Sequence, residues 1–431
     1  MAIMSKEQQK EVTKQLEGDV YRIALVLSTK KSKSSKILSD GRTMLEKMAH
    51  CGAGGSENDS GDGAGVLTAI PNDLYRKSVK EQDGSDLPPL GQYATGLLFL
   101  EEKSYKQAKD AFQDLARACG LRVIAWRKLG INRECIGEEA KETEPLIRQV
   151  FVSADYAESK PFLFEHNVYL LHNQAVISMT KQELDCHVCS LSTSTVVYKG
   201  PFTSHQLFKY YDDLSDPEYQ THLALVHYRF STDSISSWTH DRPNLILASK
   251  LKLWQFRDNL GDSKMRGRGR TLESEYQRDD FTKFYPICQE GLADSRRLDH
   301  VIKYLVGALP ETAMTILPDA LEKDEDMSTE KKDFYRCATM KTEFCDEPAL
   351  IALADGSSIG VALDRIDFPT AQYHFTNDGH LFLSSVSGVF NIPDESVVKK
   401  VREKRRGKKG FYPVNGQNRA SSKEKTDRFE T

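Results

Sequence analysis

The chain has 431 residues, of which 39% are hydrophobic and 28% charged, with a formal net charge of -4. That length admits two or three domain-sized units or one large elaborated one, and the composition excludes a disordered polymer. The near-balanced charge argues against a polyanionic partner for the chain as a whole, and the longest apolar runs fall far short of the roughly 20 residues a membrane-spanning helix needs.

Residues 1–19 are charged and only weakly periodic, so they read as an arm outside the core. They lack an apolar signal core and the Arg-rich character of a mitochondrial presequence, which sets an intracellular, cytosolic-side expectation. A strand is predicted over Tyr21 to Ser28, followed by a basic turn, KKSKSSK. The next stretch, ILSDGRTMLEKMAH, predicts a helix that puts Ile37, Leu38, Met44, Leu45 and Met48 on one face.

Glycines follow in CGAGGSENDSGDGAGVLTAIP. The run Ser60 to Gly65 has the backbone access of a phosphate loop, but it lacks the Lys-Ser/Thr of a Walker loop and the dinucleotide spacing. A tight turn whose glycines supply positive φ is the simpler reading. From Tyr93 the pattern predicts strand (YATGLLFL), helix (SYKQAKDAFQDLARACG, stopped by Gly120) and strand (LRVIAWRKL). Two further strand-like runs, NVYLLHNQAVISM and CHVCSLSTSTVVYKG, flank a turn near Thr180, and THLALVHYRFSTD reads as another strand.

Residues 259–280 predict a loop, LDHVIKYLVGAL a helix, and ALIALADGSSIGVAL two short strands around Asp-Gly. Beyond Pro393 the chain turns strongly basic, and residues 401–431 read as a tail that does not fold alone. The eight cysteines are scattered, which favours reduced thiols. Cys186 and Cys189 form a C-x-x-C without the second ligand pair a zinc site needs, so no metal site is expected.

The segment MLEKMAHCGAGGSENDSGDGAGVLTAIPNDLY, together with ALVHYRFSTD far downstream, resembles the class II glutamine amidotransferase domain of glutamate synthase. Other stretches resemble it in the same order, among them GLRVIAWR, ETEPLIRQVFV, SLSTSTVVYKG, TLESE and SSVSGVFNIPDESVVKK, so the resemblance covers roughly residues 20–400. It implies a single domain over that span with an α+β, N-terminal-nucleophile fold, a four-layer αββα sandwich of antiparallel sheets. The flavin and iron–sulfur synthase domain and the C-terminal β-helix domain of that family have no counterpart in the matched region, so no cofactor is expected.

Glutaminases of this class use an N-terminal Cys whose thiolate attacks the amide while its free α-amine serves as base. By the resemblance, Tyr21 occupies that position and Arg22 the following Gly. Trimming to Ser5 would expose a hydroxyl about sixteen residues too early for the geometry the reaction demands. The family's Asn-Gly oxyanion donors correspond to Lys250 and Leu251, and losing one such donor commonly costs about 2.7 to 4 kcal/mol of transition-state stabilisation. Its His-Arg-Gly-Ala motif keeps His50, Gly52 and Ala53 but carries Cys51 for Arg, a semi-buried structural thiol in the plainest reading. A further family motif is replaced at Ile366 to Thr370.

Two positions survive: Arg229, which in the family engages the glutamine carboxylate, and Asp294, which engages its amino group. They admit residual ligand binding, or pairing with each other and with local groups. The expectation is a non-catalytic, structural or interaction subunit of a larger assembly, with a glutaminase subunit of a split glutamate synthase or a glutamine/glutamate sensor as alternatives. The run Lys399 to Lys409 suits an acidic surface, such as a tubulin filament, more than nucleic acid.

Overall fold

The computed structural model describes residues 20–49, 61–230, 238, 246–249, 329, 333, 350–354, 356, 358–363, 372–402 and 409–413. The arm 1–19, the 259–280 loop, the LDHVIKYLVGAL helix, Cys51, Lys250, Leu251, Asp294 and residues 414–431 lie outside them.

Strand β1 (Val20–Ser28) is the centre of a seven-stranded antiparallel sheet. It is flanked on one side by β8 (Leu223–Phe230), then β2 (Ala64–Ala69) and β7 (Thr195–Gly200), and on the other by β13 (His380–Ser384), β12 (Gln372–Thr376) and the edge strand β14 (Val397–Arg402). Ile23 through Leu27 are completely buried, so β1 carries an unbroken apolar run rather than alternation, as a strand covered on both faces requires. Helix α1 (Ser35–Lys47) covers the outer face of β1 and β8, entered through a Ser34 side-chain cap on the Lys36 amide. Ile37, Leu38, Met44, Leu45 and Met48 are all buried, as its periodicity predicted.

A second sheet runs in the order β4 (Arg122–Lys128), β5 (Leu146–Ser153), β3 (Tyr93–Leu100), β6 (Cys186–Val188). Successive side chains of a strand face opposite ways, and here the two faces join different cores. Tyr93, Leu97 and Phe99 pack with the seven-stranded sheet, whereas Ala94, Leu98 and Leu100 pack under helices α3 (Tyr105–Ala118) and α4 (Pro161–Lys181). The layers therefore run helix, sheet, sheet, helix, and the expected αββα architecture is present. Helix α2 (Asn72–Asp83) leads from β2 to the edge of β4.

Several expectations are corrected. NVYLLHNQAVISM is not a strand but the body of α4, a 21-residue helix with Phe164, Val168, Leu171, Ala175 and Met179 buried. Its Val, Tyr and Ile favour strands in isolation, and burial on more than one side overrides that preference. CHVCSLSTSTVVYKG divides into β6 and β7, which belong to different sheets. Strand pairing also continues past residue 400: β14 crosses that boundary, and β15 (Lys409–Pro413) pairs antiparallel with β11 (Ser358–Leu363) in a third sheet, β15-β11-β10-β9, completed by β10 (Leu350–Ala354) and β9 (Ile246–Ser249). A charged segment that cannot build a core alone still has backbone donors and acceptors for a sheet edge.

His222 donates from Nε2 to the Gly356 carbonyl (2.9 Å) beside the β10–β11 turn. Burial holds its pKa below the ordinary imidazole value, with Lys31 and Lys33 adding to the effect. The unfolded chain then binds the proton more readily, so stability conferred by neutral His222 falls as pH drops through about 6.5. In urea titrations at neutral and mildly acidic pH, His222→Gln should show a smaller loss of midpoint on acidification than the parent.

Candidate functional site

Position 21 lies one residue into β1, and the register sets Tyr21 directly opposite Arg229 near the end of β8. The turn Gly61-Asp62-Gly63 delivers the chain into β2 beside the same strand end. The Arg229 amide donates to the Gly63 carbonyl (2.9 Å), and its Nη1 donates to the Asp62 carbonyl (3.4 Å). Arg229 is 3% exposed, so its guanidinium is held inside the protein rather than presented on the surface.

Both glycines of that turn are there for steric reasons. Gly63 has φ of 139°, which side-chain-bearing residues rarely adopt. A Cβ on Gly61 would stand 2.2 Å from the Phe202 carbonyl oxygen. Of the Ser60 to Gly65 run, the tight-turn reading with positive φ holds at Gly63, while Ala64 and Gly65 already belong to β2. The residues gave no sign that the turn's carbonyls receive Arg229; a buried arginine beside a glycine turn is a contact set by register, not by local sequence. Phe202 also meets Trp238 edge to face at 5.3 Å between ring centroids, and the Trp238 Nε1 donates to the Ala140 carbonyl at 3.1 Å, fixing the wall on which Gly61 rests. Gly61→Ala should loosen this turn, costing about 1–3 kcal/mol by overpacking, measured by chemical denaturation.

On the opposite side of β1 the Ile23 amide donates to Ser385 Oγ (3.0 Å) and the Ser385 amide donates to the Ile23 carbonyl (2.9 Å). Position 21 is thus carried on a strand tied on both sides close to it. The C-x-x-C has a different character. Burial, with Asp185 adding, pushes the Cys186 thiol up to about 12, and Cys189 is buried with its Sγ directed at the Val197 carbonyl. Such thiols are poor nucleophiles. Iodoacetamide at neutral pH should label Cys186 far more slowly than in the urea-unfolded chain, as read by mass spectrometry.

At the end of its central strand this αββα sandwich brings together Tyr21, the buried Arg229 and a glycine turn. The chain matches the family model for class-II glutamine amidotransferases over residues 22–407, and it belongs to that family. It is 34% identical over 398 residues to glutamate synthase [NADH] of Saccharomyces cerevisiae, an alignment covering 89% of this chain and 18% of that protein. It is 33% identical over 393 residues to the glutamate synthase [NADPH] large chain of Bacillus subtilis, covering 90% and 26% respectively. The domain is thus of the glutamate synthase type, and the chain spans about a fifth to a quarter of the length of these relatives. Among solved structures, the allosteric regulatory enzyme of purine biosynthesis aligns with 91% of the chain and 47% of its own at 10% identity and a TM-score of 0.38.

Proposed function

We propose that this chain is a non-catalytic amidotransferase-like protein that serves as a structural or interaction subunit of a larger assembly. The observation that carries this reading is the placement of Tyr21. It follows Val20 inside a strand, so its nitrogen is a peptide nitrogen flanked by paired residues. Glutamine hydrolysis of this class needs a free α-amine and a thiolate on one residue at that place. A peptide nitrogen accepts no proton at neutral pH and a phenol is no substitute for a thiolate. Lys250 and Leu251 in place of the oxyanion donors support the same reading.

The subunit would dock through its basic C-terminal segment, Lys399 to Lys409, onto an acidic protein surface such as a tubulin filament. Arg229 and Asp294 would remain as relics of the ligand site, with Arg229 now engaged by the Asp62 and Gly63 turn.

The test is ammonia release from glutamine by the purified chain, run beside calorimetry with glutamine and glutamate. Silence in both is expected. Ammonia above background would overturn the proposal in favour of a glutaminase subunit of a split glutamate synthase. Heat of binding without ammonia would replace it with a sensor built on Arg229 and Asp294.

A further inference from the structure

We propose that β14 is a docking edge that takes up an extended acidic peptide by strand addition. The inference deepens the interaction-subunit reading by naming where and how a partner binds. It rests on that reading, but peptide binding and ammonia release are separate measurements, so one can fail without the other.

In the seven-stranded sheet β14 stands at the end of the order and, among the described residues, pairs with β12 alone. An edge strand leaves a row of backbone donors and acceptors on its outer side, which is the template an added strand uses. Proteins commonly guard such an edge by covering it, twisting it away or lining it with charge, and the lysines of β14 turn away another basic strand but not an acidic one. Here Val398 is 71% exposed and Lys399 and Lys400 are both exposed, so side chains that follow one another, and therefore face opposite ways, all reach solvent. A largely exposed valine on an edge strand is a surface for an apolar side chain of an incoming strand.

Charge selects the partner. The sequence from Lys399 to Lys409 contains Glu403 as its single acid among Lys and Arg. A second group of lysines lies at the strand ends beside β13, one strand further in than β12. The Asn377 amide donates to the Ser396 carbonyl (2.9 Å), which sets the turn before β13 against the start of β14. Across that turn lie exposed Lys30, whose chain reaches Gly379, and Lys36, 3.9 Å from Asp378. Lys31 and Lys33, also exposed, continue the group. Against these six exposed lysines stand Asp40, 3.5 Å from Lys36, Asp378, shared with Lys36 and His380, and Asp394, which engages Lys400 at 2.6 Å, with Glu395 beside it. Backbone pairing gives no preference for sequence, and the lysines give a preference for carboxylates. An acidic segment able to lie extended satisfies both, whereas a nucleic acid satisfies only the charge.

The experiment uses the full chain and a fluorescent peptide of alternating Glu and Val, with the same peptide N-methylated at every residue. N-methylation keeps the charge and removes every backbone donor. The unmodified peptide should bind in anisotropy titrations, and N-methylation should weaken binding by at least about tenfold. Amide hydrogen exchange should slow within Val397–Arg402 on binding. The double variant Lys399→Glu with Lys400→Glu, checked for an unchanged thermal transition, should also weaken binding about tenfold. Equal binding of the two peptides, protection elsewhere in the chain, tighter binding of a DNA duplex, or no binding at all would each overturn the proposal.

Discussion

Replacing Asp213 by Asn should cost about 3–5 kcal/mol of stability, the range found when one partner of a buried ion pair is removed. Asp213 and Arg127 are 7% and 5% exposed at their side chains and meet through two parallel bonds, Nη1 to Oδ2 at 2.8 Å and Nη2 to Oδ1 at 2.5 Å. Arg127 also donates from Nε to Ser78 Oγ (2.7 Å) and from Nη1 to Gln149 Oε1 (2.7 Å), while Tyr198 donates to Asp213 Oδ2 (2.7 Å) and shares a 2.8 Å bond with Tyr75. Desolvation opposes a charged Arg127, yet its hydrogen bonds and the charge of Asp213 outweigh that and hold its pKa above the ordinary value. Burial pushes the Tyr75 and Tyr198 phenols up, with Asp213 adding, so both remain neutral donors across the physiological range. The network joins β4, β5, α2 and β7, and its loss is not local. Denaturant midpoints for Asp213→Asn, Arg127→Met and the double variant Arg127→Met/Asp213→Leu decide the matter. Each single variant should be far less stable than the parent, and the double should recover a substantial part, because no unpaired charge is left inside.

Gly96→Ala should be the most damaging single methyl in the second sheet. A Cβ there would lie 1.7 Å from the Ser190 carbonyl oxygen and 2.5 Å from its carbon, and these are backbone atoms that no rotamer change can move. The Ser190 segment is held there on both sides, since the Cys189 amide donates to the Leu97 carbonyl (2.8 Å) and the Thr95 amide to the Ser192 carbonyl (2.9 Å). Relief requires breaking that crossing between β3 and the link from β6 to β7. The expected loss is at the upper end of the overpacking range, about 3 kcal/mol. A thermal transition within a degree or two of the parent would show that the crossing yields easily.

Local chemistry made part of this fold legible and long-range pairing hid the rest. The helix over Ser35–Lys47 shows one apolar face, and the strand over Tyr93–Leu100 is a short apolar run between turn signals; both stand where the residues place them. Helix α2 left a start and a stop, Pro71 before it and Gly84 in the left-handed region after it, that would have found it. Helix α4 left a start signal in Pro161 at its first position but no amphipathic period, because apolar residues on most sides erase it. At the site, the identities of Tyr21 and Arg229 were legible through resemblance. Their apposition was not, because it follows from the β1–β8 register across roughly two hundred residues of chain. The Arg127–Asp213 pair shares that reason: nothing near either residue announces a partner in another layer.

The position of β1 also has a consequence for synthesis. Its two strand neighbours, β8 and β13, emerge about two hundred and about three hundred and sixty residues after it. At roughly 5–20 residues per second the ribosome leaves this strand with neither neighbour for about ten seconds or more, and incompletely flanked for about twice as long. Until β8 emerges the nascent chain displays Ile23, Leu25, Val26 and Leu27 with bare amides on both edges, a substrate for holding chaperones before it is the middle of anything.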